Sequence, residues 1–533
     1  MHVFFTMAWF DMESWAWGHY IMEWATKGIF QGERRFWLGA AVDDHFLGTN
    51  TFEYDGDTNT AVREERISYN DLVQFLKATE ALNERYNAEI ISELPFNGFG
   101  ILEKAESQYG FSFENADAAL LPKGDPPMAN SDGTVGLPPT KFPVDWFNTA
   151  TVAGMKAEFD AGTWAAKDDL LKASVELKSK FFWQSHTLSH QARDNLGQVD
   201  CKSEDGGNSQ IAVLTGLFGE DTYAWRSMTT PGITGLFNKN CLQSAMDNLI
   251  TCAPGDNTYT GAPTTTVSLV SDKSQFHSIY TTVETNGLAG FQIVPRFATF
   301  VYYNCRTFDC LVVENLFIRR TVCNCANKDP GTMGNLNTNT AGCDFSPVGP
   351  CPWGLQAFGS AEMLFGTEAN TTTRWILSGR RDKYMFHQAN VVPTPTPLGF
   401  MSLLEYWYEV VLEKMALYLN LQGTDPFPVK SVKFDDLCTN FKHHEDLDNS
   451  AALVTITKNS TTGIITRMQL SAGSSAGVIP ITVPTAFVGR VSTEGLPAGQ
   501  PYTTETYGSD TTFYVATSSA DIPRPLLSPL LRE

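Results

Sequence analysis

The stretch GERRFWLGAAVDDHFLG, residues 32–48, decides how the rest of the chain is read. Its apolar run, 36–42, suits a buried strand, and that strand delivers two adjacent carboxylates, Asp43 and Asp44, to its carboxyl end. Adjacent acids often open a turn or cap the next element, because Asp side chains accept from neighbouring backbone N–H groups. The alternative is a paired-carboxylate site in which one acid holds a metal and the other moves a proton. On a regular strand the two side chains would point to opposite faces. One site can use both only if the backbone turns there.

Downstream, ISYNDLVQFLKATEALNERYN places Leu72, Phe75, Leu76, Thr79 and Leu82 at helical spacing, and AEIISEL reads as a second strand ending at Pro95. The alternation returns in DDLLKASVELKSK, a helix, followed by FFWQSH, a strand. It predicts an α/β fold, with parallel strands and helices packed outside them. LLPKGDPPMANSDGTVGLPPTKFP reads as a long surface loop, and the segment 305–351 as an irregular excursion held by disulfides. SLLEYWYEVVLEKMALYLN predicts one more helix, ending near Gly423. After it, VTITKNSTTGIITRMQL, GVIPITVPTAF and TTFYVATS are β-rich. The expected division is a catalytic unit over 1–440 and a small C-terminal β-sandwich over 441–533, with a linker near KHHEDLDNS.

The 59 acidic residues exceed the 38 basic ones, for a formal net charge of −21. Such a surface repels phosphate backbones and anionic membranes, so nucleic acid is not an expected partner. A cationic polymer would be attracted, although acidic surfaces also serve solubility. The 10 cysteines form no CxxC pair, which favours disulfides in an oxidising compartment over structural zinc. Two sequons, Asn370-Thr371-Thr372 and Asn459-Ser460-Thr461, agree with secretion. MHVFFTMAWFDMESW has no basic or apolar region of signal-peptide type. The most apolar helix carries three Glu and one Lys, so no membrane span is expected.

Of the nine histidines, His186 and His190 in WQSHTLSHQ stand at i and i+4. If the segment turns helical at His186, both imidazoles leave one face about 6 Å apart at Cβ. Two imidazoles and a carboxylate make a three-ligand set that suits zinc. HxxxH pairs are also common as surface or capping histidines. Here, however, His186 ends a strand as Asp43 does, and strand carboxyl ends gather the sites of α/β folds. His387 in KYMFHQAN reads by spacing as a core or rim residue. The cluster His443, His444, Glu445 and Asp446 reads as a solvated loop. No GxSxG elbow, P-loop or dinucleotide fingerprint is present.

VDD at 42–44 followed by HTLSH at 186–190 resembles the signature of the NodB-type polysaccharide deacetylases. GERRFWLGAAVDDHFLGT, ELPFNGFG, WQSHTLSHQ, MTTPGITGLFN, IVPRFATFVYYN and DKYMFHQAN resemble the fungal galactosaminogalactan deacetylase family, often labelled extracellular serine-rich proteins. The resemblance implies a (β/α) barrel-like catalytic domain, regular or distorted, that removes N-acetyl groups from an N-acetylhexosamine polysaccharide. It makes Asp43 the general base, His387 the general acid, and Asp44, His186 and His190 the ligands of a divalent metal, zinc above all. Pro231 in TTPGITGL becomes a groove wall, Arg296 in VPRF a group that orients Asp43, and Asn97 in ELPFNGFG a substrate-binding or supporting residue. The wider family has an Arg in its third motif and Gly-Pro after its Asp pair, where this chain has TTPG and His45-Phe46. The implied protein is an extracellular or cell-wall monomer, its signal peptide and N-terminal carbohydrate-binding module lying outside this chain. The alternative is a non-catalytic wall-binding or adhesion protein.

Overall fold

A computed structural model describes residues 11–54, 59–110, 148–255, 276–315, 358–423, 427–450, 453–458, 460–461, 465–471, 477–490 and 502–516. Nine strands make the central sheet: β1 (Ala40–Asp43), β2 (Glu93–Phe96), β3 (Phe182–Ser185), β4 (Tyr223–Met228), β5 (Cys252–Pro254), β6 (Ile279–Tyr280), β7 (Gln292–Val294), β8 (Arg296–Ala298) and β9 (Lys383–His387). Their order is β6-β7-β5-β4-β3-β2-β1-β9-β8. Only the β6–β7 pair is antiparallel. Pro295 alone separates β7 from β8, and it has no N–H to give a ladder. Before it, Gln292 pairs with Cys252 of β5; after it, Arg296 pairs with Lys383 of β9. One extended segment therefore lies beside both ends of the sheet, which curls into the barrel-like wall that was expected.

Every residue of β1 and β2 is buried, as in parallel strands covered on both faces. The helix α1 (Tyr69–Tyr86) opens on a capping box between Ser68 and Asp71 and turns Leu72, Phe75, Thr79 and Leu82 inward, with Leu76 half-buried. In α2 (Asp169–Glu176) the cap is Asp168, which accepts from two backbone N–H groups and from the guanidinium of Arg66. Between β3 and β4 runs α3 (Gln198–Thr215), which apolar periodicity does not announce. Then come α4 (Ala361–Leu377) and α5 (Leu403–Leu419), followed by α6 (Phe434–Asn449). Strand β2 runs one residue past Pro95.

The expected linker near KHHEDLDNS is instead the second half of α6. Three of its polar residues find protein partners: His443 faces the ring of Tyr514, His444 meets Arg381, and Glu445 accepts from the Ser278 N–H at 2.9 Å. Lys442, Asp448 and Asn449 on the same helix face solvent. The C-terminal β-structure is a sheet of Val478–Pro484, Asp510–Ala516 and Tyr502–Tyr507, edged by Phe30–Gln31 from just before β1. Leu447 of α6 packs on its apolar face, against the cluster of Ile29, Ile479, Ile481, Val483, Phe513 and Val515. A separate hairpin joins Leu453–Lys458 to Ile465–Ser471.

Among the described residues, three disulfides join Cys201 to Cys241, Cys252 to Cys438 and Cys305 to Cys310. The other four cysteines and the loop 120–143 lie outside the described residues. Among those described, no helix is long and apolar enough to cross a membrane.

Candidate active site

The backbone turns where the two carboxylates require it. Asp43 ends β1 in register with His387, the last residue of β9, so their side chains leave the same face of the sheet. Asp44 then adopts a left-handed conformation with φ of 66° and Phe46 one of 80°. Asp tolerates that region, whereas Phe is strained in it, and such strain persists only where packing enforces it. The chain rejoins β2 at His45, whose N–H donates to Pro95 O at 3.1 Å. Gly100 makes room for the bend, since a Cβ there would come within 2.3 Å of the Phe46 carbonyl oxygen.

The bend turns Asp44 toward the histidine pair. Its Oδ1 lies 3.2 Å from His186 Nε2 and 3.2 Å from His190 Nε2. The expected helical turn from His186 is absent: Thr187 and His190 have φ of 67° and 60°, and a bent loop brings the rings to a centroid distance of 4.8 Å. The loop's polar groups bond outward instead of to one another, which is why no helix forms. Asn97 donates to the carbonyls of His186 and Thr187 at 2.6 and 3.0 Å, and Phe99 N–H to Leu188 O at 2.8 Å. Glu204 of α3 accepts from Ser189 N–H at 2.9 Å and from the Ser189 hydroxyl.

The donor set fits a divalent cation. His186 Nδ1 lies 2.8 Å from the Thr229 carbonyl, which can only accept, so Nδ1 carries the proton and the Nε2 lone pair of the neutral ring faces Asp44. Asp44 Oδ1 is itself a buried acceptor with no hydrogen-bond partner. A cation where these acceptors meet removes the conflict. The titration shifts point the same way. Burial opposes the charge on Asp44, but His190, His186 and His387 outweigh it and hold the carboxyl well below its ordinary range. Burial likewise opposes protonation of His186, yet Asp43, Asp44 and the Thr229 carbonyl raise its pKa. The pocket favours positive charge.

Arg296 grips Asp43 with both arms of its guanidinium, Nη1 to Oδ2 at 2.9 Å and Nη2 to Oδ1 at 2.6 Å, and both side chains are buried. Burial lowers the pKa of His387, against the pull of Asp44 and Asp43. Asn97 is fully buried against the histidine loop, a supporting position. Pro231 opens a short turn two residues beyond Thr229, at the carboxyl end of β4. His45 is set apart: it packs on Trp183, bonds Ser174 and is driven down to about 3, chiefly by burial, so it stays neutral.

Residues 38–455 match the Agd3 deacetylase domain. The chain belongs to the Agd3 deacetylase domain family. A solved structure described as "Agd3 a novel carbohydrate deacetylase" shares the fold, with 23% sequence identity, 95% of this chain and 69% of that chain covered, and a TM-score of 0.69. A GH57-type branching enzyme from the hyperthermophilic archaeon Pyrococcus horikoshii is more distant, at 9% identity over 76% of this chain and 70% of its own, with a TM-score of 0.35. No curated protein sequence matches the chain. The enzyme class expected from sequence, a carbohydrate esterase, agrees with Agd3 family membership.

Sequence reasoning missed how this Agd3-family site is supported. Asn208 of α3 accepts from Gly98 N–H at 2.7 Å and donates to Phe96 O at 2.9 Å and Ser185 Oγ at 2.8 Å, joining the carboxyl ends of β2 and β3. Glu204 holds the histidine loop one turn earlier. The buried face of α3 includes Asp200, Glu204 and Asn208. Their i, i+4 spacing was the available signal, and a search for apolar periodicity passes over it.

Proposed function

We propose that the chain is a metal-dependent deacetylase of N-acetylhexosamine polysaccharides, galactosaminogalactan among them, with zinc as its metal. The observation that carries this reading is the meeting of Asp44, His186 and His190 beside Asp43 and His387, at the carboxyl ends of the barrel strands. A divalent ion held by those three residues supplies Lewis acidity toward water and toward the acetyl carbonyl. Asp43 takes the proton of the attacking water. Its oxygens each accept from Arg296 and each keep a further lone pair, so the fork orients the base without blocking it. His387, on the neighbouring strand, delivers a proton to the amide nitrogen as the C–N bond breaks. The water oxygen ends in acetate, and the sugar keeps a free amine. Disulfides support an extracellular or cell-wall setting, where the chain acts as a monomer with its C-terminal β-structure as an accessory to the catalytic unit.

The test is acetate release from galactosaminogalactan, chitin oligomers and bacterial poly-N-acetylglucosamine, with and without a chelator. Release should require metal, and Asp43→Asn should lower kcat by about 10²- to 10⁴-fold. Full activity after thorough metal removal would overturn the mechanism. Polymer binding without acetate release from any substrate would make the chain an adhesion protein instead.

A further inference from the structure

The pairing of β3 with β4 breaks where the site begins. Gln184 stands opposite Ala224, but Ser185, the next residue, stands opposite Met228. Residues 225–227 of β4 are thus passed over by β3, and irregularities of this kind re-aim the groups that follow them. Here the group is Thr229, set beside His186. Buried side chains span the break. Thr229 Oγ1 donates to Gln184 Oε1 at 2.7 Å, Gln184 Nε2 donates to Ser227 Oγ at 2.9 Å, and Ser227 Oγ donates to Asp435 Oδ1 at 2.7 Å. Asp435, in the first turn of α6, also accepts from the Arg226 N–H at 3.1 Å, inside the stretch that β3 passes over.

Each role in this chain of bonds is forced. A carboxylate only accepts, so Ser227 gives its proton to Asp435 and takes one from the Gln184 amide; the amide then turns its oxygen to Thr229, whose hydroxyl must donate. The Thr229 N–H is likewise committed, to Ser185 O at 2.9 Å. With both groups held, the Thr229 carbonyl stays where His186 Nδ1 meets it at 2.8 Å. That bond decides which ring nitrogen carries the proton and where Nε2 aims. We propose that Gln184 is a positioning residue for the metal ligand His186: through the Thr229 hydroxyl it holds the carbonyl that orients the imidazole, and Asp435 anchors it from α6. The inference rests on the metal-dependent reading. It adds a control over one ligand that reaches the helix on which the C-terminal sheet packs.

The test titrates zinc into the metal-free protein against a competing chelator, for the parent, Thr229→Val, Thr229→Ser, Gln184→Met and the double variant Gln184→Met with Thr229→Val. Each of Thr229→Val and Gln184→Met should raise the Kd for zinc about tenfold. The double variant should also weaken binding about tenfold, because both changes remove the same bond. Thr229→Ser, which keeps the hydroxyl, should bind as the parent does. In the cobalt-loaded protein the visible absorption bands should move alike in Thr229→Val and Gln184→Met, and stay in place in Thr229→Ser. Parent-like zinc affinity in both single variants, beside a parent that binds zinc, would overturn the positioning role alone. So would a loss of about a hundredfold in the double variant, which means independent effects, or equal losses in Thr229→Val and Thr229→Ser, which mean packing. If Gln184→Met does not fold, the two Thr229 variants decide the matter. A parent that binds neither zinc nor cobalt would overturn the metal-dependent reading and the positioning role together.

Discussion

Asp43 and Asp44 are neighbours in sequence with separate surroundings in space. Asp43 stays on the sheet and is held by an arginine 253 residues away, while Asp44 swings through its left-handed turn to two histidines. Arg296→Lys would keep a positive charge but lose the two-armed grip. It should lower kcat by about 100-fold while metal content stays at the parent level; unimpaired turnover would show that charge alone suffices. Asp44→Asn, by contrast, should abolish stoichiometric metal binding in elemental analysis, and a variant retaining full metal would remove Asp44 from the ligand set. The Asp pair and the HxxxH spacing were legible because each lies within a few residues. His387 and Arg296 were not legible from spacing. They emerged from resemblance, because what makes them part of the site is the register of β1, β8 and β9, which no local pattern encodes.

The histidine loop depends on α3, an element whose buried face is polar. Glu204→Ala removes two acceptors from Ser189 and should weaken metal affinity by about 10- to 100-fold in a competition titration. Glu204→Gln should stay near the parent, since an amide can accept from the Ser189 N–H and donate to its hydroxyl. Parent-like affinity in Glu204→Ala would show that the loop holds its shape unaided. The same element explains why the helical geometry expected for HTLSH failed. Local spacing put the two imidazoles together, but the loop's backbone groups bond Asn97, Phe99 and Glu204 instead of closing a helical turn.

Across the whole molecule, buried acids couple stability to pH. Glu368 of α4 accepts from the Phe300 N–H at 2.8 Å and from Trp407 Nε1 at 3.1 Å, joining the segment after β8 to α5. Burial raises its pKa to about 7, against those two hydrogen bonds. The folded protein thus keeps a proton that the unfolded chain has already released. The stabilisation from this group is full below the unfolded pKa near 4.5 and is lost as pH rises to about 7. Glu368→Gln does not titrate. The parent should therefore lose about 3 kcal/mol relative to this variant between pH 4.5 and 7 in urea unfolding. A constant difference across that range would show that Glu368 titrates normally.

Strand and helix alternation, the absence of a long apolar span, the acidic charge and the two short motifs all belong to contiguous residues. Contiguous residues carry propensity and spacing, so an α/β chain with a candidate metal grip could be read directly. Closure of the sheet through Pro295, the placing of Arg296 against Asp43, the α3 polar face beneath the histidine loop and the continuation of α6 through a polar stretch all needed the folded chain. Each depends on which distant backbone groups meet, and that is settled by the packing of the sheet as a whole.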